Sequence, residues 1–150
     1  FLYGLSEVLR DVRSFVLCSN VVETTDIFKR HDLDEAVALA LEAAILGSTD
    51  YGQGLDDFLT LAEDKIDRRT TVLILGDARS NFTDPRVEQL QKIRERSRCV
   101  VWLNPEPRTF WGTGDSEMLR YLPQVDVART VGSITDLDRA ITLMLKRTRM

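Results

Sequence analysis

Apolar residues at the start of the chain, Leu2, Leu5, Leu9 and Val12, are three and four positions apart, the stripe of an amphipathic helix facing a core. The period then changes. Ser14-Phe15-Val16-Leu17-Cys18 is a short apolar run, and Val21-Val22-Glu23-Thr24-Thr25 follows after only Ser19-Asn20, which predicts two antiparallel strands joined by a tight turn. Asp32 with Glu35 three positions on has the form of a capping box. Leu33, Val37, Leu41, Ala44 and Ile45 line one face of the helix it opens, and Gly47 ends it. Leu55, Phe58, Leu59, Ala62 and Ile66 share a face of the next helix, so Gly47-Ser48-Thr49-Asp50-Tyr51-Gly52 is a small polar loop between the two.

Thr71-Val72-Leu73-Ile74-Leu75 is continuously apolar rather than alternating, the pattern of a central parallel strand covered on both faces, and it ends in Gly76-Asp77. Asp84 and Pro85 form a cap and first-turn pair for a helix bearing Val87, Leu90 and Ile93. Cys99-Val100-Val101-Trp102-Leu103 is the next buried strand, and a loop over 104–115 leads to a short helix near 117–121. Val125-Asp126-Val127-Ala128-Arg129 alternates like an edge strand. Ser133 caps a last helix with Leu137, Ala140, Ile141, Met144 and Leu145 inward. Helices alternating with strands predict a three-layer α/β sandwich: a mostly parallel sheet with one antiparallel strand and helices on both faces. A parallel strand that follows a helix completes a strand-helix-strand unit, so the pattern also leads us to expect a first strand upstream of Phe1.

Composition narrows the function classes. The 150 residues suit a single domain over 1–150, with 43% hydrophobic and 29% charged positions, a balance that buries a core. With 20 basic and 24 acidic side chains the formal charge is -4, which gives no general reason to bind nucleic acid. No apolar run reaches the roughly 18 residues of a membrane span. Cys18 and Cys99 sit inside apolar runs, favouring buried thiols and a cytoplasmic setting. The single His, His31, excludes a His-Cys zinc cluster and reads as a solvated loop residue. Arg94, Arg96 and Arg98, like Lys146, Arg147 and Arg149, read as solvated faces.

The chemistry-bearing positions are few. Asp77 stands at the carboxyl end of a strand, where ligands of open α/β sheets bind, and reads either as a turn residue or as a carboxylate aimed at a metal or phosphate. Thr49 lies in a loop that opens a helix and reads either as part of a cap shared by Ser48, Thr49 and Asp50 or as a hydroxyl ligand. A hydroxyl and a strand-ending carboxylate together are the hard oxygen donors that Mg²⁺ accepts. Phe110 and Trp111, in the loop Arg108-Thr109-Phe110-Trp111-Gly112-Thr113-Gly114, are either exposed partner contacts or packing onto the sheet.

Three segments carry a family resemblance. Ser48-Thr49-Asp50-Tyr51-Gly52-Gln53-Gly54-Leu55, Thr71-Val72-Leu73-Ile74-Leu75-Gly76-Asp77 and Val100-Val101-Trp102-Leu103-Asn104-Pro105 resemble the loop, the Asp-ending strand and the Trp-Leu-Asn-Pro segment of the CoxE-like branch of von Willebrand factor type A (VWA) domains. The resemblance implies a Rossmann-like fold and a metal-ion-dependent adhesion site (MIDAS), whose loop Thr and strand-ending Asp carry over to Thr49 and Asp77. The family's Asp-x-Ser-x-Ser motif is absent, and its expected place is upstream of Phe1 with the first strand, so the domain is expected to be truncated at its N-terminus. Two oxygen donors and water make a weak Mg²⁺ site. We therefore expect the cation in the complete domain and little of it on this stretch alone.

The resemblance further implies a non-enzymatic adaptor that works with a MoxR-type AAA+ ATPase in the maturation or remodelling of metalloenzymes, contacting no nucleic acid or membrane. Ser48, Asp50, Asn104 and Trp111 frame the metal as candidate outer-sphere or partner contacts. A cation bridging to an acidic partner residue gives an acidic domain a way to bind one. The alternative is a Mg²⁺-dependent phosphoryl-transfer or phosphoacceptor enzyme using Asp77. Against it, Gly76-Asp77-Ala78-Arg79 shows no second carboxylate or Lys, and no Gly-x-x-x-x-Gly-Lys loop is present.

Overall fold

The computed structural model describes residues 11–44 and 47–148. Most of the expected opening helix and Ile45 lie outside the described residues, and Val12 is in irregular chain. Two strands, β1 (Phe15–Leu17) and β2 (Val21–Glu23), pair antiparallel with Phe15 opposite Glu23 and Leu17 opposite Val21. The turn is one residue longer than the expected Ser19-Asn20, because Cys18 leaves the ladder and its N–H donates to the Asn20 carbonyl at 3.0 Å. Thr24 and Thr25 also leave the predicted strand. Thr24 is buried, its N–H donating to the Ser14 carbonyl, and Thr25 begins helix α1 (Thr25–Arg30).

Helix α2 (Leu33–Ala43) is capped by Asp32, whose Oδ1 accepts from the Glu35 N–H at 3.0 Å. Its inward face differs in part from the one expected. Ala44 is buried as expected, but Ala36 and Ala40 are buried with it while Leu33, Val37 and Leu41 are exposed. Two apolar rows run along this helix, and the row of small residues is the one turned inward. Helix α3 (Tyr51–Ala62) begins four residues before the expected Leu55, with Asp50 alone as its side-chain cap through the Gln53 N–H at 2.9 Å. Tyr51 and Gly52 are therefore helical rather than part of the loop.

Strand β3 (Thr71–Leu75), helix α4 (Val87–Arg96), strand β4 (Cys99–Asn104), the short helix α5 (Met118–Tyr121), strand β5 (Val127–Thr130) and helix α6 (Ile134–Thr148) complete the order. The three strands form a parallel sheet ordered β3-β4-β5, and β1-β2 is a separate two-stranded sheet. The layered α/β prediction stands. The expected antiparallel member of the main sheet pairs only within its hairpin among the described residues.

The central strand is β4, not β3. β3 has β4 on one side and no strand on the other among the described residues, and Leu75 is 44% exposed. A continuous apolar run records covered faces, and says nothing of lateral neighbours. Val72 belongs to the core on one face and Leu73 to the cluster on the other.

Side chains alternate along β4 as the pleat requires. Val100 and Trp102 join Tyr51, Leu55 and Leu59 of α3 and Leu90 and Ile93 of α4, with Met118 and Tyr121 of α5. Val101 and Leu103 face Ala140, with Leu137 and Met144 beside it, along α6. Trp102 is fully buried and stacks on Tyr121 at 5.1 Å, with Tyr51 at 5.7 Å.

Two smaller expectations are revised. Arg86 takes the left-handed conformation (φ 43°) and α4 starts at Val87. Asp84 does not cap that helix: its Oδ1 accepts the Arg86 N–H at 3.0 Å, and the Pro85 carbonyl accepts the Tyr121 hydroxyl at 2.7 Å. β5 starts at Val127 because Asp126 serves its neighbours through its side chain, Oδ2 accepting the Val100 N–H and Oδ1 the Arg94 guanidinium. Ser133 caps α6 as expected, its hydroxyl accepting the Asp136 N–H at 3.2 Å. Cys18 and Cys99 are half-buried and form no disulfide. No helix among the described residues is long and apolar enough to cross a membrane.

Candidate functional site

The carboxyl ends of β3 and β4 deliver three loops to one place. Gly76 and Asp77 leave β3, and the Trp102 indole N–H donates to the Gly76 carbonyl at 2.8 Å while the Gly76 N–H donates to Leu103. The fully buried Asn104, last residue of β4, donates through Nδ2 to the Asp77 carbonyl at 3.2 Å and accepts the Glu106 N–H through Oδ1 at 2.8 Å. Asp77 itself is half-buried. Its Oδ1 accepts the Arg79 N–H at 3.0 Å and the Tyr51 hydroxyl at 3.4 Å. Among the described residues no donor reaches Oδ2, so one carboxylate oxygen remains available to a ligand. Burial pushes the Tyr51 phenol well above its ordinary value, and the adjacent Asp77 charge adds to this. Tyr51 is therefore a neutral donor.

Loop 47–50 is tied to the same place. The Asn81 Nδ2 donates to the Thr49 carbonyl at 2.9 Å, which leaves the half-buried Thr49 hydroxyl unused by that contact. The loops bearing Thr49 and Asp77 are thus tied through Asn81, four positions after Asp77. Asp50 is occupied as the α3 cap, and Ser48 is exposed. Asn104 is a buried brace and does not offer itself to a partner. Trp111 is also buried, its indole N–H donating to the Glu106 carbonyl at 3.0 Å, so of the two readings open for this loop Trp111 takes packing, while Phe110 is exposed.

The residue that joins these loops is Arg79. Its guanidinium donates to both Glu106 oxygens at 2.9 and 3.0 Å, to Asp115 Oδ1 at 2.8 Å and to the Thr113 carbonyl at 3.2 Å. Asp115 Oδ2 accepts the Asn81 N–H at 3.0 Å. Sequence reasoning misses Arg79, Glu106 and Asp115 because pairs 27 and 36 positions apart leave no periodic trace. Tyr51 was within reach of it, as an aromatic following directly on a cap.

The hydrogen bonds from Arg79 and from the Asn81 backbone hold Asp115 below the ordinary carboxylate value. A lowered folded-state value means stability that is present above the unfolded value, near pH 4, and lost as pH falls through the folded one. Arg79→Met is expected to lower the thermal midpoint at pH 7 by roughly 2–4 °C. Its gap to wild type closes as pH falls below about 4 and through the lowered folded-state value; a gap unchanged by acid in calorimetric scans contradicts the pairing.

The donor set fits a hard divalent cation in kind, with the Asp77 carboxylate and the Thr49 hydroxyl. Among the described residues no three His, Cys, Asp or Glu side chains converge as a metal cage. The two oxygens would leave most positions of an octahedral ion to water.

A parallel α/β sandwich with a braced polar face at the strand ends defines a ligand-binding or partner-binding domain of Rossmann-like type. The chain matches the family described as "VWA domain containing CoxE-like protein" over residues 1–137, and it belongs to that family. No curated protein and no solved structure matches it. Domains of this family are typically associated with protein interaction and are generally non-catalytic.

Proposed function

We propose that the domain is an adaptor that binds a protein partner through the loop cluster around Asp77. Thr49 and Asp77 supply two of the oxygen ligands of a divalent cation, Mg²⁺ or a similar ion, in the full-length protein. The observation that carries this reading is the asymmetry of the Asp77 carboxylate: Oδ1 is fixed by Arg79 and Tyr51, while Oδ2 meets no donor among the described residues. Oδ1 fixes the orientation of the group, and Oδ2 is the oxygen that a hard cation can take. When bound, the cation supplies an open coordination position for an acidic side chain of the partner. The resemblance to CoxE-like domains supports a MoxR-type AAA+ ATPase as that partner, with a role in the cytoplasm in metalloenzyme maturation or remodelling.

The phosphoryl-transfer reading has less behind it. The nearest cation in sequence, Arg79, is engaged by Glu106 and Asp115, and no second carboxylate contacts Asp77 among the described residues.

The test is interferometry with the purified MoxR-type ATPase of the same organism, in Mg²⁺ and in EDTA, using wild type and Asp77→Ala. EDTA and the substitution are each expected to weaken capture at least tenfold, about 1.4 kcal/mol. Capture indifferent to both contradicts a metal bridge.

A further inference from the structure

Phe82 is the one large apolar side chain among the described residues that is both strongly exposed, at 83%, and left-handed in backbone, with φ 60°. A bulky residue in that region is a steric outlier that persists only where its surroundings impose it. Here they do. Asn81, also left-handed at φ 49°, is fixed on both sides, its N–H by Asp115 and its Nδ2 by the Thr49 carbonyl. On the other flank, Thr83 donates its N–H at 2.9 Å and its hydroxyl at 2.7 Å to the Ser80 carbonyl. The loop is therefore a rigid mount that holds an aromatic ring out into solvent. It is the mount that also holds Thr49.

Water alone gives no reason to display a ring in this way. Truncating the side chain or relaxing the backbone would remove both the strain and the apolar exposure. We propose that Phe82 is the aromatic anchor of the adaptor face, inserting into an apolar pocket on the partner protein while the Asp77 side of the same loop engages the partner's polar groups. This rests on the adaptor reading above and adds to it the residue that supplies affinity independently of metal. Charge selects the occupant. Asp84 is two positions from Phe82, Asp50 adjoins the Thr49 that Asn81 holds, and Asp77 accepts the Arg79 N–H, while the cations Arg79 and Arg86 are paired with Glu106 and Asp115 and with Asp56. An anionic lipid surface is repelled by such a rim. A protein pocket with an uncharged or basic rim is not, and a pre-positioned aromatic loses little side-chain entropy on entering it.

The test uses the same ATPase in Mg²⁺. Phe82→Asn keeps a side chain that tolerates the left-handed backbone and removes the ring. Its thermal midpoint is expected to equal or exceed that of wild type while affinity for the ATPase falls about 30-fold, the scale of an aromatic hot spot. Phe82→Trp retains binding within about threefold. Wild-type binding that survives Phe82→Asn unchanged overturns the anchor and leaves the adaptor reading standing. Absence of wild-type binding to the ATPase overturns both. Two further results overturn the anchor: Phe82-dependent flotation with phosphatidylserine-containing vesicles, and Phe82-dependent self-association in sedimentation velocity. The first makes it a lipid contact, the second a contact between copies of this chain.

Discussion

Trp102→Ala is expected to destabilise the domain by about 3–5 kcal/mol, the range for removing a large aromatic from a core. Single domains are stable by only about 5–15 kcal/mol, so the variant is marginal at 25 °C and its urea midpoint falls by a molar or more. The size of the effect follows from position. Trp102 sits on the one described strand with neighbours on both sides, wholly buried, with its ring against Tyr121 and Tyr51. Those two rings come from α3 and α5, so the indole joins three elements that share no hydrogen-bond ladder. Trp102→Phe separates the two contributions of the side chain. It keeps most of the stacking and loses the N–H bond to the Gly76 carbonyl, for about 1–2 kcal/mol. Equal midpoints for Trp102→Ala and wild type in urea titration would show that the strand core does not hold these helices.

Gly76 precedes Asp77, so the same indole also sets where the candidate ligand leaves the sheet. Fold and site are coupled through that bond, and this explains which parts of each were legible in the sequence. The continuous apolar runs at Thr71–Leu75 and Cys99–Asn104 mark buried strands because burial on both faces leaves no alternation. Thr49 and Asp77 were legible as loop and strand-end oxygens, and the structure places their loops together through Asn81. The brace between them was not legible. Arg79, Glu106 and Asp115 come from three loops, and nothing in a helical or strand period pairs them.

Misreadings have physical causes of the same kind. On α2 the Leu-Val-Leu row and the Ala row fit the helical period equally well, and tertiary contact decided between them. Trp111 was no misreading but an open pair, exposed contact or packed ring, and the hydrogen bond to the Glu106 carbonyl accompanies the packed one. Phe82 carried no signal, since a left-handed backbone at a non-glycine residue is imposed by neighbours and not by the residue itself.

Gly52→Ala reverses the sign that helix propensity gives it. Ala in a helix interior is favoured over Gly by about 1 kcal/mol, and Gly52 lies in the first turn of α3, where the same preference, though smaller, predicts a more stable protein. A Cβ at this position, however, collides with the Asp84 carbonyl oxygen. That carbonyl is backbone and cannot rotate away. The Asp84 carboxylate holds the Arg86 N–H, and the next carbonyl, that of Pro85, holds the buried Tyr121 hydroxyl at 2.7 Å. Loop 84–86 must shift as a unit or α3 must retreat from α4. Overpacking of this kind costs about 1–3 kcal/mol, and a backbone obstacle belongs at the upper end, so the net expectation is a loss of about 1–2 kcal/mol after the propensity gain. Gly54→Ala is the internal control. The atoms nearest its Cβ belong to the Leu17 side chain, which has rotamers to move into, and it is expected to lose less. Urea titrations of the two variants decide the matter, and a Gly52→Ala protein more stable than wild type refutes the close approach. The consequence reaches the site: Asp84 is two residues from Phe82, and a displaced loop 84–86 moves the anchor relative to Asp77. Gly52→Ala should therefore weaken capture of the ATPase even where most of the protein remains folded, while Gly54→Ala leaves it intact. The glycine that blurred the start of α3 in the sequence is the one that lets this helix and the loop bearing Phe82 meet.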